Sequence, residues 1–179
     1  LNKVIFFMVD SNSISSCIFE SPLGQIRLHQ NQGFLIRISF VRKKLKTDIP
    51  LEDLSLPDKN VFIETSKKLE NYFSGSLQTF NLPIEVKGTN FQLYAWRALL
   101  SIPYGKTWSY FKQAKFINKP KAIRAIGNAN SKNPLPIIIP CHRVIGKDGS
   151  LKGFSGGIEK KTYLIELEKK FIHEHKNLS

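Results

Sequence analysis

The sequence predicts an α+β protein in two parts: a small antiparallel sheet with one helix in residues 1–85, and a mainly helical part in residues 86–179. The first forty residues consist of short runs of alternating apolar side chains separated by turn sequences, as in adjacent antiparallel strands. From residue 58 onward, apolar side chains instead recur every three or four residues, the spacing of helices with one buried face. A chain of 179 residues is long enough for two small domains.

The N-terminal part is predicted to form a sheet followed by a helix. Residues 4–9 are all apolar and predict a strand, since the run is too short to span a membrane and lacks the cleavage site of a signal peptide. Three more strands are predicted from CIFE, QIRLH and FLIRISF, with turns at SPLG and NQG between them, and in the last strand Ile36, Ile38 and Phe40 should share one face. The helix that follows should end near Gly75, and its apolar stripe consists of Phe62, Leu69, Tyr72 and Phe73.

The second part should begin with a helix whose N-terminus carries a capping box formed by Thr89 and Gln92. Two short helical patterns follow, SYFKQAKFI and KPKAIRAIGNAN, with Pro120 expected at the start of the second. Such a pair predicts a helix-turn-helix. The last helix should start near Gly157, and Glu168 lies inside its apolar stripe between Leu164 and Ile172, where a carboxylate needs a partner.

The charge distribution is one-sided. The formal net charge is +13, with ten basic against nine acidic residues in 1–85 and seventeen against five in 86–179. Within residues 86–155 there are twelve basic side chains and a single acid, Asp148. Such self-repulsion is usually tolerated because a polyanion relieves it, so the sequence indicates nucleic-acid binding by the second part.

The two cysteines, Cys17 and Cys141, are too few for a disulfide framework and lack the paired spacing of a zinc module, which indicates a reducing compartment and no metal site. Cys141 follows the apolar residues 137–139 and Pro140, so we expect a buried extended segment that emerges at the thiol. Its neighbour His142 could accept the thiol proton through an irregular turn or a water molecule. From these residues alone, a core thiol, a metal ligand and a nucleophile all stay open.

The second helix of the predicted helix-turn-helix has one nearly bare side, because Ala122, Ala125, Gly127 and Ala129 are small. This side could approach a nucleic-acid groove closely, or it could pack against another helix. Arg124 projects from among these small residues.

The stretch NPLPIIIPCHRVIG followed by GFSGG closely resembles the active-site signature of the O6-alkylguanine-DNA alkyltransferases. The resemblance extends through FQLYAWRALLSIPYGKTWSY, KAIRAIGNANSKNP and KKTYLIELE, and so covers residues 88–168. It implies a ribonuclease-H-like N-terminal domain and a helix-turn-helix domain with the reactive cysteine. It also implies a DNA-repair protein that is consumed in a single turnover, as it moves an alkyl group irreversibly from O6-alkylguanine, or O4-alkylthymine, to its own thiol.

The resemblance assigns a role to each site residue. Cys141 would be the nucleophile, His142 polarised by Glu168 would activate it through a water molecule, Asn133 would brace the loop, and Tyr110 would bind the flipped base and donate a proton to it. The base pocket would consist of Tyr110, Val144, Phe154, Ser155 and Gly156, with the Cys141 and Val144 carbonyls accepting from the exocyclic amine. Arg124 would enter the base stack, and the DNA contacts would further include Ala122, Ala125, Gly127, Thr107 and Ser109.

Two residues depart from the usual family pattern: Ile123 stands where alanine is common, and Phe154 where tyrosine is common. The resemblance implies no cofactor, a monomer that binds double-stranded DNA containing O6-alkylguanine, no membrane association, and a cytoplasmic protein, or a nuclear one in a eukaryote. Activation by His142 and Glu168 further predicts a Cys141 pKa well below that of a free thiol.

Two other functions compete with alkyl transfer. A non-catalytic alkyltransferase-like protein would bind lesions without repairing them, but such relatives replace the cysteine. A cysteine hydrolase or thiol-sensing regulator would have its own catalytic signature, which the sequence does not show.

Overall fold

The computed structural model describes residues 5–7, 14–43 and 56–176, with side chains described at 14–43 and 59–173. The chain divides into two compact units, Leu1–Val86 and Lys87–Ser179. The α+β prediction is confirmed, since the first unit carries a sheet and a helix and the second is mainly helical. None of the helices described is long and apolar enough to cross a membrane.

The first unit contains a four-stranded antiparallel sheet in the order β1-β2-β3-β4. Its elements are β1 (Ile5–Phe7), β2 (Ser15–Ser21), β3 (Gly24–Asn31), β4 (Phe34–Phe40) and the helix α1 (Leu56–Phe73). A register shift between His29 and Gln30 interrupts the strict alternation expected for β4, so Leu35 and Ile38 are its buried residues. Gly75, with φ of +81°, follows α1 in the left-handed conformation expected at a helix end.

The second unit positions the site. Its elements are α2 (Asn90–Leu100), β5 (Trp108–Ser109), α3 (Tyr110–Phe116), α4 (Ile123–Ser131), a 3-10 turn (Cys141–Arg143), β6 (Val144–Ile145) and α5 (Ile158–Lys176). The capping box of Thr89 and Gln92 is present. The expected position of Pro120 is wrong: α4 begins at Ile123, because residues 119–122 form a turn in which Ala122 N bonds to the Lys119 carbonyl.

Two features bring the predicted site residues together. The short strands β5 and β6 pair in parallel, with Trp108 opposite Val144, so the start of α3 lies beside the residue that follows the cysteine turn. Helices α2, α3 and α4 pack around an apolar cluster, whose fully or nearly fully buried members are Ala95, Ala114, Ile126 and Ala129. Because three of these four are alanines, one from each helix, the three helices can approach one another closely.

Candidate active site and nucleic-acid interface

Cys141 opens the 3-10 turn directly after Pro140, and its side chain is 6% exposed. Residues 137–139 are buried as predicted, but the prediction that they are extended is wrong, since they lie in consecutive turns. Ile137 has φ of +77°, a left-handed conformation that is strained for a β-branched residue. The 3-10 turn Cys141–Arg143 is the irregular turn expected at Cys141 and His142, and a strained residue lies shortly before it.

Asn133 braces the cysteine turn through three contacts. Its side-chain Nδ2 donates to the Ile139 carbonyl at 2.7 Å and to Cys141 Sγ at 3.1 Å, while its Oδ1 accepts from the Leu135 amide at 3.0 Å. Asn133 is itself buried. A single side chain therefore fixes both ends of the loop and donates a hydrogen bond to the thiol sulfur, an interaction that favours negative charge on that sulfur.

Glu168 is 1% exposed on α5 and accepts hydrogen bonds from three different groups. His142 Nε2 lies 2.8 Å from Glu168 Oε1, the Gly105 amide 2.8 Å from Oε2, and Arg143 Nε 3.0 Å from Oε2. Arg143 also donates through Nη2 to Oε1 at 3.0 Å, and through Nη1 to the Ile102 carbonyl at 2.7 Å. The partner that the buried carboxylate requires is thus both a histidine and an arginine.

This network fixes the tautomer of His142. Burial by itself raises the pKa of Glu168, but the hydrogen bonds and charges of His142 and Arg143 outweigh it and hold the pKa at about 2. The ionised carboxylate only accepts hydrogen bonds, so His142 Nε2 carries the proton that it donates. Burial also lowers the pKa of His142 below its ordinary value, which keeps the imidazole neutral near pH 7. Nδ1 is then the basic nitrogen, and it has no hydrogen-bond partner among the described residues.

The expected low pKa of Cys141 is wrong for this state of the protein. Burial raises the pKa of the Cys141 thiol, and the Asn133 hydrogen bond and the nearby Lys161 charge offset this only in part. The thiol is therefore protonated at rest, and the sulfur becomes strongly nucleophilic only when a base removes its proton.

Removing the carboxylate in Glu168→Gln should slow alkyl transfer and move its pH profile upward. Without Glu168, His142 loses the charge that supports its protonated form, so the reaction must depend on thiolate formed by titration of a thiol with a raised pKa. Single-turnover transfer rates measured from pH 6 to 10 test this. An unchanged rate and profile would leave Glu168 with a structural role alone.

The hydrogen-bonded pair of His142 and Glu168 also makes a contribution to the free energy of unfolding that is lost in acid. The folded pKa of Glu168 is about 2, against an ordinary value of 4.5, so its contribution is present above pH 4.5 and is lost as the pH falls toward 2. The shift corresponds to roughly 3 kcal/mol. In urea unfolding, the deficit of Glu168→Gln relative to the unmodified protein should be largest at pH 6–7 and shrink toward pH 3. A deficit that is constant over this range would contradict the assignment.

Lys161 is a site residue that the sequence analysis missed. It is fully buried on α5, and its ammonium donates to the Val144 carbonyl at 2.6 Å and to the Lys152 carbonyl at 2.8 Å. Burial lowers its pKa to about 8, and the nearby Cys141 opposes this. Its burial could have been predicted from the sequence, because Lys161 lies three residues before Leu164 and seven before Glu168, on the same apolar stripe of the helix. Lys161 ties the residue after the cysteine turn to the following loop.

The predicted base pocket lies around this lysine. Tyr110 donates from its hydroxyl to the Lys152 carbonyl at 2.8 Å, and the Lys161 ammonium is 5.9 Å from its ring centre. The Phe154 ring is 6.5 Å from the His142 ring in an edge-on arrangement. Val144 is buried, Ser155 is exposed and Gly156 is half-buried. The Val144 carbonyl, expected to accept from the base, already accepts from Lys161, so a base would share it.

The predicted DNA-contacting residues lie on and beside the helix-turn-helix. Arg124 and Ala125 are exposed, while Ala122 and Gly127 are half-exposed. A Cβ at Gly127 would lie 3.9 Å from the Tyr110 ring, so α4 passes close to the pocket at this point. The other two predicted DNA contacts, Thr107 and Ser109, precede α3. Thr107 is half-buried. The Ser109 hydroxyl caps the helix by accepting a hydrogen bond from the Lys112 amide at 3.1 Å.

Most of the basic side chains in residues 86–155 are exposed to solvent, as a nucleic-acid-binding surface requires. Of the twelve basic residues in 86–155, eleven are exposed, and only Arg143 is buried. Arg143 belongs to the Glu168 network instead. Within the part of the chain that the structure describes, no cluster of three or more His, Cys, Asp or Glu side chains could hold a metal ion.

The fold and this site define a class of protein: a basic helix-turn-helix unit that carries a buried cysteine beside a histidine–glutamate pair. Residues 90–170 match the family described as 6-O-methylguanine DNA methyltransferase, DNA binding domain, and residues 16–86 match its ribonuclease-like domain. The chain belongs to the 6-O-methylguanine DNA methyltransferase family, and the resemblance found in the sequence is confirmed.

Individual relatives agree with this assignment. A methylated-DNA–protein-cysteine methyltransferase of Methanosarcina barkeri is 46% identical over 151 residues, which cover 84% of this chain and 94% of the relative. One of Mycobacterium leprae is 42% identical over 150 residues, covering 84% and 89%. The crystal structure of Mycobacterium tuberculosis OGT in complex with DNA matches with a TM-score of 0.75 and 39% identity, over 86% of this chain and 92% of that one.

Proposed function

We propose that this protein repairs DNA by moving an alkyl group from O6 of guanine, and from O4 of thymine, onto Cys141. Family membership makes it a methylated-DNA–protein-cysteine methyltransferase that acts on DNA. The observation that supports Cys141 as the acceptor is the set of contacts around its thiol. Asn133 donates a hydrogen bond to Cys141 Sγ, and the hydrogen bond from His142 Nε2 to Glu168 leaves Nδ1 of the neighbouring imidazole as the basic nitrogen. The non-catalytic alternative is not favoured, since a nucleophile and a base are both present.

The reaction follows from these groups. The Cys141 proton passes to His142 Nδ1 through a water molecule, and the charge that forms on the imidazole is balanced by Glu168 at 2.8 Å. The sulfur then attacks the alkyl carbon in line with the bond to O6, an S–C bond forms, and the C–O6 electron pair leaves with the guanine. Tyr110 donates a proton to the departing base, and the proton held by His142 is available to restore the phenol.

The product explains why no turnover is expected. A thioether has no ready leaving group, and no residue of the described site is placed to remove the alkyl carbon from sulfur. Each molecule should therefore accept one alkyl group. We propose that it acts as a monomer in the cytoplasm, that it needs no cofactor, and that residues 86–179 form the DNA-binding and alkyltransferase domain after a separate domain in 1–85.

Access to the reacting atom requires base flipping, because O6 of a paired guanine cannot reach a buried thiol. We propose that α4 lies in the minor groove, where the exposed or half-exposed small residues Ala125 and Gly127 permit close approach, and that Arg124 fills the space left by the extruded nucleotide. The alkylated base would then enter the pocket between Tyr110 and the loop at Phe154.

One incubation separates the competing functions. Duplex DNA with a radiolabelled methyl group on guanine O6 is mixed with the protein, and the label on protein is counted. Repair predicts label on the protein, while a non-catalytic lesion binder would retain the DNA and leave the label on it. A hydrolase or thiol sensor would neither take up label nor prefer the modified DNA.

Binding should be strongly salt-dependent because the exposed basic surface contacts phosphates. The logarithm of the affinity should fall linearly with the logarithm of the salt concentration, with a slope of about −0.9 per phosphate contacted. Lys121→Ala, in the turn before α4, should reduce that slope by about one. Lys67→Ala, an exposed lysine of the first unit, is the matched control and should leave it unchanged. A flat salt response would mean that phosphates contribute little to binding.

A further inference from the structure

Helices α3 and α4 are joined by a buried pair of amide side chains that the reaction itself does not use. Gln113 is completely buried on α3, and Asn130 is 8% exposed in the last turn of α4. Gln113 Nε2 donates to Asn130 Oδ1 at 3.0 Å, and Asn130 Nδ2 donates back to Gln113 Oε1 at 2.7 Å. Gln113 Nε2 also donates to the Ala95 carbonyl of α2 at 3.0 Å.

The three hydrogen bonds allow one arrangement of the two amides. A backbone carbonyl only accepts, so the NH2 group of Gln113 must face Ala95. Its oxygen must then face the NH2 group of Asn130, whose oxygen receives the remaining Gln113 proton. Three helices are therefore held in a single relative register by directional bonds.

The apolar packing around the pair lacks this specificity. The buried centre of the neighbouring core consists of alanines from the three helices and Ile126, with larger apolar side chains packed at its edge. Trp96 Nε1 of α2 donates to the Ala129 carbonyl of α4 at 2.9 Å and ties these two helices, while the amide pair adds α3 to the same register. A buried polar pair with three directional hydrogen bonds penalises a shift between the helices, because a shift would leave buried amide groups without their partners.

The position of α4 matters at both of its faces. Its outer face carries Arg124, and a Cβ at Gly127 would lie 3.9 Å from the Tyr110 ring. Its C-terminal end leads to the cysteine, since the Asn130 carbonyl accepts from the Asn133 amide at 3.2 Å and Asn133 contacts Cys141 Sγ. The amide pair thus stands between the proposed DNA-reading face and the brace of the reactive thiol.

We propose that Gln113 and Asn130 are positioning residues, which set the register of α4 so that Arg124 and the cysteine pocket act on the same nucleotide. This inference rests on the proposed function, since it assumes that α4 binds the duplex. It assigns the pair an effect on repair within DNA, beyond its contribution to stability.

The test separates register from stability with a single and a double variant. Gln113→Met leaves Asn130 without its partner, so both stability and duplex repair should fall. Gln113→Met combined with Asn130→Val removes both amides and fills about the same volume, and replacing both partners by apolar groups of similar size can be close to neutral for stability. We expect its urea midpoint to return near that of the unmodified protein, while its single-turnover rate on saturating duplex stays about tenfold low, within the range of couplings between contacting residues.

The control substrate is free O6-methylguanine, which carries the same alkyl group and needs no register with DNA. The double variant should react with it at nearly the unmodified rate. Recovery of duplex repair together with stability would overturn the proposal and leave the pair as a structural element. Equal losses on both substrates would also overturn it, because the pair would then act through the cysteine pocket. Failure of the proposed function is distinct, since the unmodified protein would itself transfer nothing.

Discussion

Cys141→Ser should abolish alkyl transfer and leave DNA affinity unchanged. A serine hydroxyl is far less acidic than a thiol, so a neutral imidazole cannot deprotonate it enough to displace guanine. The substitution keeps the shape of a side chain that is 6% exposed, and it removes no positive charge from the DNA-binding surface. Transfer of label from methylated duplex and binding in a mobility-shift titration measure the two properties separately.

Cys17 provides the matched control. It is fully buried in β2, and burial raises its pKa well above the ordinary value, so it has neither access nor activation. Cys17→Ser should keep transfer and binding at their normal levels in protein that remains folded. Loss of transfer in folded Cys17→Ser with full activity in Cys141→Ser would reassign the acceptor.

Arg124→Ala should slow repair of duplex DNA by about a hundredfold and leave the reaction with free O6-benzylguanine almost unchanged. Unstacking a nucleotide costs a few kcal/mol, and each 1.4 kcal/mol is worth about a factor of ten, so loss of a side chain that fills the gap has an effect of this order. A free base carries no such cost. Single-turnover rates on both substrates at saturating protein give the comparison.

Two other results would assign Arg124 differently. Weaker binding to any DNA, with a salt slope reduced by about one and normal repair at saturation, would make it a phosphate contact. Equal losses on duplex and free base would mean that the substitution disturbs the cysteine pocket. Lys132→Ala, exposed just after α4, is a suitable control and should slow neither reaction.

The sequence was sufficient to predict most of the elements and the burial of Glu168, for identifiable reasons. Thr89 and Gln92 have the spacing of a capping box, and both of its hydrogen bonds are present. Glu168 lies between two apolar residues of the same stripe, so its burial and need for a partner could be predicted. Alternation in the first forty residues similarly predicted the strands, although the register shift at His29 changed which β4 residues are buried.

The parts that the sequence did not reveal depend on tertiary contacts. Arg143 lies in a strongly basic segment whose charge predicts a place on the DNA-binding surface, but it is buried against Glu168. The left-handed Ile137 could not be foreseen, because local propensity opposes that conformation. The pKa of Cys141 was predicted in the wrong direction, since sequence indicates the neighbouring charges but not how completely the thiol is buried.

The most direct test of the central claim is a titration of the protein with methylated duplex, followed by mass spectrometry of its peptides. If Cys141 accepts the methyl group irreversibly, transfer saturates at about one methyl group per molecule, and all of the methyl groups lie on the peptide that contains Cys141. Continued transfer well beyond one equivalent, or a methyl group located on any other residue, would contradict it.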